Sequence, residues 1–272
     1  MKRGTFGAWF WVVLGGLYFL LPLLGTLDFS LRMRRGVLSF DAYEKAFADP
    51  QFGQTFLFSN QMALLTIIVS LLLVVPTAYW VHLRVPRLRS VVEFITLLPF
   101  VIPAIVLVFG MIKIYSRPLA FGSLELVRPL TNSVWGTNLL LVAGYVVLSL
   151  PYMYRAVDTG LRAIDVRTLT EAAQSLGAGW PTILWKIIFP NLRTALLSGA
   201  LLTFAIVVGE LTLANFLDRP AFGPYLWLLG QHRAYQPAAL SIISFGLTWV
   251  AMGVIQFLSR GRIKPGQVAG AH

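Results

Sequence analysis

Long runs without a charged side chain set the pattern of this chain. There are 24 such residues between Arg3 and Asp28, 34 between Asp49 and Arg84, and 19 between Glu93 and Lys113. Runs of 26 lie between Arg128 and Arg155 and between Arg233 and Arg260. A hydrocarbon layer roughly 30 Å thick takes about 20 apolar residues in a helix, so each run predicts a span. A sixth is interrupted: 16 uncharged residues precede Glu210 and seven follow it, so a helix over 194–216 must carry that carboxylate. The predicted spans are 8–27, 60–81, 94–113, 136–156, 194–216 and 238–259. None alternates with the period of two that a closed barrel needs. The expected fold is all-α, a polytopic membrane protein with six transmembrane helices.

Composition agrees. Of 272 residues, 57% are hydrophobic and 12% charged, against about 45–50% and 25% in soluble domains. Disorder is excluded by the hydrophobicity and a disulfide scaffold by the absence of Cys. The net charge of +11 is not the footprint of a nucleic-acid binder, because long stretches carry none of it. With six spans, segments 1–7, 82–93, 157–193 and 260–272 share one side, and 28–59, 114–135 and 217–237 the other. The first set with Arg155 holds 13 basic and 4 acidic residues, and the second with Lys113 and Glu210 holds 9 and 7. The excess of positive charge predicts both termini in the cytoplasm, although Arg32, Arg34 and Arg35 pull the other way.

The first segment imitates a signal peptide, but its apolar core exceeds the usual 7–15 residues and no A-x-A pattern follows it. We read it as an uncleaved helix. Trp9, Trp11, Tyr18, Tyr79, Trp80 and Trp249 are candidate interfacial anchors. The expected organisation is an N-terminal helix and external loop over 1–59, a core of five helices over 60–260, and a tail over 261–272.

The longest inner loop, 157–193, has the signals of two short helices. Asp165 is a candidate N-cap and Gly177 a candidate left-handed terminator. Leu169, Ala172, Ala173 and Leu176 recur at helical spacing and predict one apolar face. Pro181 suits the first turn of a second helix, and Pro190 bends or breaks the chain before the fifth span. Such an element is either a surface hairpin on the membrane or a docking element for a soluble partner. The small alanines favour close approach, and Glu171 offers a carboxylate.

This loop reads Glu171-Ala172-Ala173, then Gly177, then Ile187, Phe189 and Pro190. It resembles the EAA signature of permease subunits of binding-protein-dependent ATP-binding-cassette importers, with the same spacing throughout and Phe189 standing where the family has Leu. The resemblance implies a type I, MetI-like permease fold. It also implies that Glu171, Ala172, Ala173, Gly177, Ile187 and Pro190 belong to a coupling element seated on a cytoplasmic ATP-binding subunit. By the same resemblance the partners are that ATPase, a second permease subunit, identical or paralogous, and a periplasmic or extracellular solute-binding protein. The place is a bacterial inner membrane.

No lysine is followed by Ser or Thr, so no G-x-x-x-x-G-K-[ST] loop is present to cradle phosphates. We expect a non-catalytic subunit that draws its energy from elsewhere, with no cofactor and no metal. The three histidines, His82, His232 and His272, show no metal-binding spacing and are expected to be surface residues. A membrane enzyme lacks its cluster of reactive groups. An ion-coupled carrier would leave the docking signature without a purpose.

Glu210 is the one acidic residue committed to a span, about 24 Å along a helix starting at Thr194. It is a candidate pathway residue, a structural carboxylate paired to an Arg or Ser, or the mark of a slightly misplaced span end. Asn215 is its candidate amide partner. Pro99 and Pro103, inside the third span, are candidate kinks along the pathway. Gly199, Gly209, Ala195, Ala200 and Ala205 predict a close-packing fifth helix, and Ser198 and Thr203 are expected to bond preceding carbonyls. The run from Glu171 to Leu192 with Gly209-Glu210-Leu211 resembles the spermidine/putrescine branch. Its neighbours carry ferric iron, phosphonate or sulfate-like cargo.

Overall fold

We analysed a computed structural model, which describes residues 4–34, 36–121, 124–127 and 129–260. The tail expected over 261–272 and His272 lie outside these residues. The chain is helical almost throughout. Helix α1 spans Gly4–Leu31, α2 Asp41–Phe47, α3 Pro50–Leu83, α4 Arg89–Val101 and α5 Ala104–Tyr115. After them come α6 (Val134–Arg162), α7 (Val166–Ser175), α8 (Trp180–Ile183), α9 (Phe189–Asn191), α10 (Arg193–Val208), α11 (Thr212–Phe216), α12 (Phe222–His232) and α13 (Tyr235–Arg260). A small antiparallel ribbon, β1 (Leu119–Phe121) with β2 (Leu124–Val127), lies in the segment read as a loop.

Among the described residues three helices are long and apolar enough to cross a membrane, and five spans result if each bent pair counts as one. The sixth predicted segment lies in α13, 26 residues long. Two predicted spans are not straight helices. The third breaks into α4 and α5 at an angle of 100°. Pro103 is the cause: Ile102 before it is forced into extended backbone (φ −86°, ψ 116°), where a helix cannot continue. Pro99 lies inside α4 and does not break it. The fifth ends at Val208, with α11 resuming only at Thr212. Polar groups within α3 are satisfied one turn back: Asn60 donates to the Phe56 carbonyl, Thr66 to Met62 and Thr77 to Leu73.

The chain divides into two compact units, residues 1–54 with 225–250, and 55–224 with 251–272. In the first, no residue in the membrane-length window of α1 is buried. Its end is tied to α2 by a hydrogen bond between the Ser30 and Tyr43 hydroxyls (2.7 Å). Tyr225 donates to Asp49 at 3.0 Å.

In the second unit, α6 is the central helix. Tyr79, Met153, Val157, Leu161, Ile183, Ile188 and Leu192 form an apolar cluster with it. Helix α10 lies unusually close to α6. A Cβ on Gly160 would stand 2.6 Å from Ala195 Cβ, and one on Gly199 2.8 Å from Met153 Sδ. The small-faced packing expected of this helix therefore falls on Gly199 and Ala195, as membrane helices use such residues to bring backbones together. Ser198 donates to the Thr194 carbonyl as expected, but the buried Thr203 hydroxyl has no partner among the described residues.

Candidate coupling surface and translocation residues

Helix α7 is built as a rigid, capped unit. Asp165 accepts from the Thr168 amide (3.1 Å) and hydroxyl (2.6 Å) at its start. The Thr168 hydroxyl above all, and then its amide, hold the Asp165 carboxyl below the usual range. At the far end Gly177 takes φ +79°, the left-handed conformation a side chain resists. The Ala178 amide donates to the Ala173 carbonyl (3.0 Å) and the Gly177 amide to Gln174 (2.9 Å), a Schellman closure.

The buried side of α7 is Val166, Thr170 and Ala173, with Leu169 half-buried. The expected face of Leu169, Ala172, Ala173 and Leu176 is thus split. Leu176 is 89% exposed and Ala172 is exposed beside it, because the inward stripe follows positions 166, 170 and 173. Thr170 shares a hydrogen bond with the Tyr79 hydroxyl (2.9 Å), which pins α7 onto α3. Tyr79, expected as an interfacial anchor, is fully buried here and serves as this pin. Trp80 packs on Trp180 at 4.6 Å between rings, with the Arg84 guanidinium over both.

The six expected docking residues separate by direction. Glu171, Ala172 and Gly177 are exposed on one surface. Glu171 accepts from Arg167 at 2.8 Å, a solvent-exposed pair that exchanges partners at little cost. Ala173 is buried and Ile187 packs toward the core cluster. Pro190 is exposed on the second arm, where α8 and α9 are joined by a widened π turn, Leu184–Ile188. That turn precedes Pro190, whose ring obstructs the carbonyl four residues back. The arm meets α10 at 78°.

Glu210 is not inside a helix, contrary to expectation. It stands in the break between α10 and α11 and caps the latter. Its carboxylate accepts from the amides of Thr212 (2.6 Å), Leu213 (3.0 Å) and Ala214 (3.3 Å), and from the buried Tyr145 hydroxyl. Free amides at a helix start are strong partners for an anion, and Gly209 is a poor residue with which to continue α10. The expected pairing with Asn215 is not what holds the carboxylate, since Asn215 is exposed and the amides take its oxygens. Pro103 sits at the break before α5 and Pro99 within α4.

Sequence reasoning missed the densest polar feature. Asp158, 5% exposed on α6, accepts from His82 Nε2 (2.8 Å), Arg89 (3.0 Å) and Arg162 (2.7 Å). Arg162 also reaches Glu93 at 2.9 Å. His82, expected as an incidental surface residue, is therefore one arm of a network joining α3, α4 and α6. The spacing of Asp158 and Arg162 (i, i+4) was legible; the 69 to 76 residues separating Asp158 from Arg89 and His82 were not.

Comparison with known proteins follows the same lines. Residues 74–265 match the family described as the binding-protein-dependent transport system inner membrane component. A spermidine/putrescine transport system permease protein of Haemophilus influenzae is 25% identical over 74% of this chain and 72% of its own length. A probable molybdenum ABC transporter permease protein of Haloferax volcanii is 32% identical over 54% of this chain, and the chain spans about half (52%) of that relative. It spans 25% of a ferric transport system permease protein from Actinobacillus pleuropneumoniae, at 27% identity. A solved bacterial alginate ABC transporter, in complex with a periplasmic protein bound to alginate pentasaccharide, has the same fold. The TM-score is 0.70 over 97% of both chains, at 16% identity. The chain belongs to the family of binding-protein-dependent transport system inner membrane components.

Proposed function

We propose that this permease subunit forms half of the translocation path of an ATP-driven importer and takes its power stroke from a separate ATPase through α7. The observation that carries this reading is the exposed surface of Glu171, Ala172, Leu176 and Gly177 on a helix capped at both ends and pinned from beneath by Tyr79. A large exposed aliphatic side chain beside small residues is a knob that fits a partner's groove. The second half of the path is another permease subunit, and a solute-binding protein delivers cargo on the far side. Both termini face the cytoplasm, as the charge bias supports.

The cargo we infer is a polyamine such as spermidine or putrescine. Relatives aligned over about three quarters of both chains carry that name. A second reading, a small oxyanion, is favoured by the molybdenum relatives at 31–32% identity.

Three measurements test these statements. Replacing Glu171 or Gly177 should abolish ATP-driven uptake while leaving membrane insertion intact; normal uptake and normal ATPase co-purification in both variants would sink the coupling role. The chain has no cysteine, so Gln174→Cys places a single thiol on α7. It should react with an impermeant reagent only in inside-out vesicles. Uptake of labelled spermidine but not molybdate decides between the cargo readings.

A further inference from the structure

Two adjoining cavities lie along α6 beside α4 and α10, of about 470 and 780 Å³. Both are within the range of roughly 300–1,000 Å³ that holds small molecules. Leu97, Pro151, Arg155 and Thr159 line both, so the two meet at Arg155. The smaller is walled by the polar groups of Glu93, Tyr154, Asp158 and Arg162. The larger continues along Phe100, Ala156, Ala163 and Leu202, a mainly apolar channel that Thr194 and Ser198 edge at α10.

Charge and hydrogen-bond supply decide what fits. Asp158 and Glu93 are already engaged by Arg89, Arg162 and His82. Arg155 is exposed and makes no ion pair or hydrogen bond among the described residues. Arg155 and Arg162 line the smaller cavity with Glu93 and Asp158, and because Arg89, outside the lining, also pairs with both carboxylates, Arg155 is the guanidinium left over. The Tyr154 hydroxyl, buried in the same wall, has no hydrogen-bond partner among the described residues. A site with surplus positive charge at one end and an apolar channel at the other is complementary to an anionic head on a hydrocarbon tail.

We propose that this paired cavity binds an acidic phospholipid, its phosphate at Arg155 beside Tyr154 and an acyl chain along the α6–α10 channel. The assignment to the inner leaflet rests on the orientation given above.

Native mass spectrometry of the delipidated permease–ATPase complex tests it, with phosphatidylglycerol, phosphatidylcholine and inorganic phosphate as probes. Retention of one phosphatidylglycerol per copy in preference to phosphatidylcholine is expected. Arg155→Gln should lower that retention about fivefold, the worth of one basic residue near an acidic headgroup, and Arg155→Lys should restore most of it. Ala163→Phe, which fills the channel, should lower lipid retention further without touching the Asp158 network. Equal retention of the two lipids, or no response to Arg155→Gln in a complex that still holds its ATPase, overturns the proposal. Binding of inorganic phosphate without lipid preference overturns it too, because the site would then take a soluble anion. Labelling of Gln174→Cys from outside would instead remove the orientation and move the site to the other leaflet, with its lipid preference intact.

Discussion

Glu210 illustrates how one side chain changes meaning once its neighbours are in place. In an unbroken helix its charge would need a cavity or a counter-ion. In the break it is satisfied by three backbone amides and Tyr145, so its first role is to hold α11 against α6. Glu210→Ala should destabilise the folded permease by about 1–2 kcal/mol, the cost of removing a cap. Glu210→Gln, which keeps one acceptor, should cost less. Thermal unfolding followed by size exclusion in detergent reads both, and equal melting of wild type and Glu210→Ala would refute the capping role. Asp158 should be the more sensitive carboxylate. Removing it leaves His82 and Arg89 facing each other with little solvent beside the half-exposed Arg162, and loss of one member of a buried ion pair costs about 3–5 kcal/mol. Arg162→Ala should cost far less, because that guanidinium is half exposed and readily solvated. Stabilities in the reverse order would show that the network is not centred on Asp158.

At the scale of elements, α7 separates folding from docking. Its inward stripe and both caps belong to the fold, while Leu176 projects away from it. Leu176→Asp should therefore leave expression and melting unchanged and reduce ATPase co-purification at least tenfold. Gly177→Ala should strain the left-handed turn by roughly 1 kcal/mol and loosen the helix end as well. The Asp165 cap adds a pH dependence. A carboxyl held below its ordinary value of 3.8 stabilises the helix above that pH and loses the effect as pH falls through its lowered value. Amide exchange at Thr168 should stay slow from neutral pH down to about pH 4 and quicken only below it, allowing for the intrinsic exchange rate; protection lost already near pH 6 would contradict the cap. In the α6–α10 pair, Gly199→Leu should be severely destabilising, because Met153 already sits against that position.

At the scale of the molecule, the reading of a charge-poor chain with separated charged segments holds for family and fold. It could be made from the sequence because the cost of burying charge in a bilayer depends on composition along a window and on little else. The EAA spacing was equally local: Asp165, Glu171 and Gly177 lie within 13 positions, and their caps need only their own turn of helix. What the tertiary structure alone decided is where long-range neighbours fall. Hydropathy cannot reveal that Pro103 breaks the third segment while Pro76 and Pro151 remain inside helices, since that depends on whether surrounding packing compensates the lost bond. Nor can it place Glu210 on amides beyond a break, or bring His82, Arg89 and Glu93 to Asp158. The same holds for Arg155, left unpaired between a polar and an apolar cavity. Spans follow from a transfer free energy that is nearly additive along the chain; sites depend on which side chains meet across helices, and only the packed fold determines that.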